Sequence, residues 1–94
     1  MELQQLRYFV ALAHTGNFTR AAEACHVTQP SLSQQIRKLE EEFDLPLLKR
    51  RMSRQETTLT PAGELLLEHA IKVLAEVETT YRAMKERNAS FSSP

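Results

Sequence analysis

Between Phe18 and Phe43 the sequence FTRAAEACHVTQPSLSQQIRKLEEEF leaves the backbone few options. Phe18, Ala21, Ala22 and Cys25 share one face of a short helix. Leu32, Ile36, Leu39 and Phe43 share one face of a longer one. His26-Val27 leaves room only for a tight turn between them, after which Thr28 is a suitable cap and Pro30 is tolerated in a first helical turn. The small Ala21 and Ala22 permit close approach of another helix. The layout is that of a helix-turn-helix, in which the outer face of the second helix, here Gln29, Ser33, Gln34 and Arg37, is offered to the major groove of DNA. On this stretch alone, the solvated face of an ordinary helical bundle is an equal alternative, and the flanking segments decide.

Upstream, Leu3, Leu6, Val10 and Ala13, with Phe9 beside them, mark one face of a first helix. His14-Thr15-Gly16-Asn17 ends it, with Gly16 as the left-handed residue and Asn17 free to cap the next helix. Downstream, Asp44 to Pro46 break the longer helix, and the acidic run Glu40-Glu41-Glu42 at its end opposes the helix dipole and repels phosphate. Groove contact is thereby confined to about Thr28 through Arg37. Leu47-Leu48 and Thr58-Leu59 read as two short strands around a basic connection, a hairpin wing. Thr60-Pro61 is a strong helix start, and a final helix over about Pro61 to Arg87 spans roughly 40 Å. Its positions Leu66, Ala70, Val73, Val77, Thr80 and Met84 form a heptad-like seam, broadened by Leu65, Leu67, Ile71, Leu74 and Tyr81. The distal half of that helix has nothing in the chain to pack on and calls for a partner. Residues 88–94 read as a small, polar, disordered tail.

Total charge is zero, with 12 basic and 12 acidic residues, but its distribution is uneven. Residues 1–46 carry a net −2, residues 61–94 a net −1, and residues 47–60 a net +3 from Lys49, Arg50, Arg51 and Arg54 against Glu56. A local basic patch holds a polyanion even on a neutral chain. The 94 residues suit one small domain with a modest core, for which a partner subunit is a natural source of stability. No apolar run approaches the ~18 residues of a membrane span, and the N-terminus lacks the pattern of a signal peptide. A soluble, cytoplasmic protein is expected.

In order and spacing, several pieces now resemble the N-terminal DNA-binding region of LysR-type bacterial transcriptional regulators. They are Leu3-x-x-Leu6-x-Tyr8-Phe9, Phe18-Thr19-x-Ala21-Ala22, Val27-x-Gln29-Pro30-Ser31-Leu32-Ser33-x-Gln35-Ile36-x-x-Leu39-Glu40, Leu47-Leu48-x-Arg50 and Leu59-Thr60-Pro61-Ala62-Gly63. The likeness covers about residues 2–87. The segment from Arg50 to Thr60 is longer than the commonest family pattern. Cys25-His26-Val27 is similar to the peroxide-sensing members, while the helix-turn-helix is shared by members with many effectors.

The resemblance implies a mostly α fold: a winged helix-turn-helix over residues 1–60, a dimerising linker helix over 61–87 and a tail over 88–94, without the family's C-terminal effector-binding domain. It implies base reading by Gln29, Pro30, Ser33 and Gln34. An amide can bond adenine bidentately, and a proline ring can touch a thymine methyl. Thr28, Ser31, Arg37 and Lys38 fall to phosphate, with Thr28 and Ser31 alternatively capping the helix and Arg37 alternatively reaching guanine. Asn17, Thr19 and Arg20 open a helix whose amides suit phosphate, a role compatible with Asn17 being simply a cap. Arg50, Arg51 and Arg54 belong to the wing, one of them entering the minor groove; Arg50 alternatively pairs with an acidic neighbour. The implied partners are double-stranded promoter DNA and a second copy, joined through Leu66, Ala70, Val73, Leu74, Val77, Tyr81 and Met84, with a tetramer in the full-length protein.

Other chemistries find little support. Cys25 reads as a buried residue of the apolar face, since a reactive thiol needs exposure and a depressed pKa. His14, His26 and His69 do not make a metal set with one cysteine, and no nucleophile–base pattern suggests an enzyme. No cofactor is expected in the chain; a small-molecule effector would bind the C-terminal domain.

Overall fold

Phe9, Leu12, Ala21, Leu32 and Leu39 are sealed from solvent where three helices meet. In this computed structural model, which describes residues 1–50 and 56–91, the three are α1 (Leu3–Thr15), α2 (Phe18–Ala24) and α3 (Gln29–Phe43). Phe18, Ala22 and Ile36 complete the junction, and the small side chains of α2 let its backbone close on its neighbours. Tyr8 and Phe9 belong to the core, as their position suggested. The buried face of α1 is centred on Leu6, Phe9 and Leu12; Val10 and Ala13 are half-buried and Leu3 is exposed. The sequence stripe placed that face slightly off, because α1 is covered by α4 as well as by α2 and α3.

The turns follow local chemistry. Gly16 ends α1 with φ 65°, and its N–H donates to the Leu12 carbonyl at 2.8 Å. Asn17 Oδ1 accepts the Arg20 N–H at 2.9 Å and caps α2. His26 makes the next turn at φ 57°, a conformation uncommon outside glycine. Asp44 ends α3 in the same region, at φ 54°. Phe43 precedes that turn and is 37% exposed, not a core residue: the helix overshoots the core, which Leu39 and the returning Leu47 close instead.

Strands β1 (Leu48–Arg50) and β2 (Thr57–Leu59) pair antiparallel, with Leu48 opposite Leu59 and Arg50 opposite Thr57. Leu47, expected to begin the first strand, is buried in the core instead, and its N–H is taken by the Glu40 carboxylate at 2.8 Å. The hairpin is tied to the α1–α2 turn. The Thr57 N–H donates to the Gly16 carbonyl at 3.0 Å, Asn17 bridges Glu56, and the buried Thr57 hydroxyl donates to the Lys49 carbonyl at 2.9 Å. The base of the wing is therefore held against the start of α2.

Helix α4 (Pro61–Phe91) begins at the expected cap. Thr60 Oγ1 accepts the Gly63 N–H at 3.0 Å and donates to the Pro46 carbonyl, while the Thr60 N–H donates to Leu47. Gly63 lies so close to Leu47 that a Cβ there would sit 2.2 Å from its carbonyl oxygen. The helix runs 31 residues, about 46 Å at 1.5 Å each, and stretches the molecule to 62 Å. It passes Arg87, so the first four residues of the expected tail, 88–91, are helical. The i,i+4 pair Glu78–Arg82 lies in this distal part, where such pairs support an otherwise unpacked helix. Residues 92–94 lie outside the described residues.

Candidate nucleic-acid interface

The first turn of α3 is built to be rigid. Thr28 Oγ1 accepts the Ser31 N–H at 3.2 Å and donates to Ser31 Oγ at 2.9 Å, so both hydroxyls are engaged in capping. Leu32, Ile36 and Leu39 anchor the inner face, which turns Pro30, Ser31, Gln34, Arg37 and Lys38 to solvent. Gln29 and Ser33 are half-buried and bonded to one another, Gln29 Nε2 to Ser33 Oγ at 3.1 Å. The four predicted base readers thus fall on the first two turns of one helix, Pro30 and Gln34 exposed and Gln29 and Ser33 half-buried at their flank.

Two supports of this helix were not foreseen. Gln5 is buried, accepts the Glu2 N–H through Oε1 and donates through Nε2 to Gln35 Oε1 at 3.1 Å, which braces α3 against the start of α1. A buried glutamine carries no periodic signal; only the capping spacing of Glu2 and Gln5 hinted at it. At the other end, Glu40 spends its carboxylate on the Leu47 N–H, and Glu42 holds the terminal ammonium of Met1 at 2.7 Å. The acidic run is in part a fastening for neighbouring chain, which the sequence showed only as misplaced charge.

Asn17, Arg20 and Glu56 to Thr58 line an open cleft of about 250 Å³ between the start of α2 and the wing base. Thr19 and Arg20 are exposed, and the Asn17 side chain is committed to its cap. The cleft also brings Glu56 of the wing base to the same lining as Arg20. Arg50 closes β1 opposite Thr57; Arg51 and Arg54, with the rest of the expected wing tip, lie outside the described residues.

Cys25 caps the end of α2, half-buried and packed on the core, and burial raises its thiol above the ordinary value of 9.0. That is a less acidic thiol than a redox sensor requires. Among the described residues no group of three histidine, cysteine or acidic side chains is placed to hold a metal. No helix among them is long and apolar enough to cross a membrane.

On α4 the expected seam divides. Ala70 is buried and Leu66 half-buried, because the proximal part packs on the domain, and Leu74 and Val77 are half-buried farther along. Val73 is exposed, and farther out Tyr81 is 68% and Met84 60% exposed. Among the described residues nothing covers these distal apolar side chains.

Residues 3–64 match the model of the bacterial regulatory helix-turn-helix proteins of the lysR family. The chain belongs to the LysR family. The match contains the whole of α1 to α3, the hairpin and the first turn of α4. Among curated LysR relatives, the Hca operon transcriptional activator HcaR of Escherichia coli K12 is 53% identical over 83% of this chain, and 26% of that protein is covered. The dual regulator OxyR of the same organism is 43% identical over the whole chain, 30% of its own length. The chain thus spans between a quarter and a third of these relatives. Among solved structures, the BenM_DBD/catB site 1 DNA complex is similar over all of this chain and 99% of that one, at 40% identity and a TM-score of 0.88. Full-length OxyR C199D from Pseudomonas aeruginosa is similar over 92% of this chain and 28% of its own, at 41% identity and a TM-score of 0.85. The LysR winged helix-turn-helix followed by a long helix is therefore the fold of this chain, which corresponds to the DNA-binding domain of LysR-type regulators.

Proposed function

We propose that the chain binds double-stranded promoter DNA as a homodimer, with α3 of each copy in successive major grooves of an interrupted palindrome about 34 Å apart. The observation that carries this reading is the two-sided character of α3. Its apolar side is locked into the core, while its capped, braced N-terminal end presents the exposed Pro30 and Gln34 with the half-buried Gln29 and Ser33 at their flank. Those four residues are assigned to base edges. Asn17, Thr19, Arg20, Thr28, Ser31, Arg37 and Lys38 are assigned to the flanking backbone, with Thr28, Ser31 and Asn17 acting through main-chain positions that their caps hold. Arg50, Arg51 and Arg54 are assigned to the wing's contact with the adjacent groove. The likeness to a protein solved as a DNA complex supports the arrangement.

The exposed distal residues Val73, Tyr81 and Met84 support dimerisation through α4. The wider expectations are a cytoplasmic, non-enzymatic regulator, tetrameric at full length, with no cofactor in this region and an effector bound elsewhere in the protein. They rest on the regulators it resembles. The test is a fluorescence titration of the chain on a duplex enriched from random DNA, repeated across a salt series. Each phosphate contact adds about 0.9 to the log–log slope, so several contacts per protomer give a steep line. A flat line counts against the proposal.

A further inference from the structure

Gln29 and Ser33 stand one helical turn apart, both half-buried at the flank of the outward side of α3, and the Gln29 amide is already spoken for in part: Nε2 donates to Ser33 Oγ at 3.1 Å. A glutamine amide has two N–H donors and one carbonyl acceptor. The bond to Ser33 uses one N–H. With the N–H anti to Oε1 in that bond, the N–H syn to Oε1 remains, a donor and an acceptor side by side in one plane. Adenine presents the complement on its major-groove edge, the N6 amino donor beside the N7 acceptor. Guanine presents two acceptors there, O6 and N7, so the carbonyl of the same amide would face an acceptor.

The backbone beneath this amide is fixed as well. Gln29 is the first residue of α3, capped by Thr28 and followed by Pro30, whose ring restricts the turn. A free glutamine loses the rotation of several side-chain torsions on meeting a base, an entropic cost that weakens binding and blurs selectivity. A bond made before DNA arrives removes much of that loss. Gln34, by contrast, is exposed, whereas Ser33 Oγ commits one lone pair to the Gln29 proton and keeps its own O–H.

We propose that Ser33 is a positioning residue that splints the Gln29 amide into an adenine-reading fork, and that it does not itself read a base. This rests on α3 being the DNA-reading helix, and it revises the role of Ser33 assigned above.

The experiment uses the chain and a duplex enriched by it from random DNA. The adenine in question is the position whose preference disappears when the selection is repeated with Gln29→Ala. Binding is then measured to that duplex, to one with guanine at the position and to one with 7-deazaadenine, which lacks the N7 acceptor. Gln29→Ala is expected to weaken binding about tenfold and to become indifferent to 7-deazaadenine. Ser33→Ala is expected to weaken it about threefold, to reduce the preference for adenine over guanine, and to add nothing on top of Gln29→Ala. Ser33→Thr, which keeps a hydroxyl, restores the preference.

Losses that multiply in the double variant overturn the proposal, because they make Ser33 an independent reader. An unchanged adenine preference in Ser33→Ala overturns it too. Either result leaves α3 as the reading helix. If Gln29→Ala binds the enriched duplex as the unaltered chain does and selects the same sequence, the reading assignment of Gln29 fails and the proposal with it.

Discussion

Replacing Gly63 with alanine separates helix propensity from packing. In an open helix this change stabilises by about 1 kcal/mol, since alanine loses less backbone freedom on folding. Here the added Cβ would lie 2.2 Å from the Leu47 carbonyl oxygen, 3.1 Å from its carbon and 3.3 Å from Leu59 Cβ, against ordinary contacts of 3.4 Å or more. The obstacle is backbone and cannot rotate away. Relief requires the first turn of α4 to lift from the loop, which stretches the 3.0 Å bond from the Thr60 N–H to that same Leu47 carbonyl. Overpacking costs about 1–3 kcal/mol and the strained bond about 1 more, so after the propensity gain the net loss is about 1–3 kcal/mol. For a domain of this size each kcal/mol lowers Tm by about 4–8 °C. Thermal unfolding followed by circular dichroism, at one fixed protomer concentration because dimerisation adds stability, reads the difference. A Tm equal to or above that of the unaltered chain would refute the claim that α4 is seated on the Leu47 carbonyl.

Other substitutions probe other joints. Glu40→Ala leaves the Leu47 N–H without its acceptor and is expected to cost about 1–3 kcal/mol in urea unfolding, while Glu40→Gln, which keeps an acceptor, costs less. Leu32→Ala, at a fully buried position on α3, is expected to cost about 2–5 kcal/mol by the same assay. Tyr81→Glu with Met84→Glu is expected to shift the chain toward monomer in sedimentation equilibrium while its helical circular dichroism persists, because neither side chain is in the core. Burial raises the Cys25 thiol above its ordinary 9.0, so its contribution to stability is complete below that pH and is lost as pH rises through the folded value. The stability of the unaltered chain is therefore expected to fall above pH 9 more than that of Cys25→Ala.

Much of this architecture is legible in the residues because its signals are local. Gly16, Asn17, Thr28 and Thr60-Pro61 mark their turns and caps by their own chemistry, and Leu32, Ile36 and Leu39 mark the inner side of α3 by spacing. The misreadings come where distant segments decide. Phe43 keeps the period of the stripe but outlasts the core that would cover it. Leu47 looks like strand but is drawn into the core, with Glu40 taking its N–H. The tail is polar, yet 88–91 continue a helix already nucleated over many turns, where adding a residue costs little. For the interface, the outward side of α3 was readable from spacing. Its bracing by Gln5 through Gln35 was not, because a polar pair 30 residues apart leaves no periodic trace.

Selection of binding sites from random DNA by the chain tests most directly whether α3 reads DNA in a symmetric pair. The predicted outcome is enrichment of an interrupted inverted repeat with half-sites about one helical turn, ~10 base pairs, apart, and loss of that enrichment in the combined Gln29→Ala and Gln34→Ala variant. A pool that stays random, or the same repeat emerging from the variant, would contradict it.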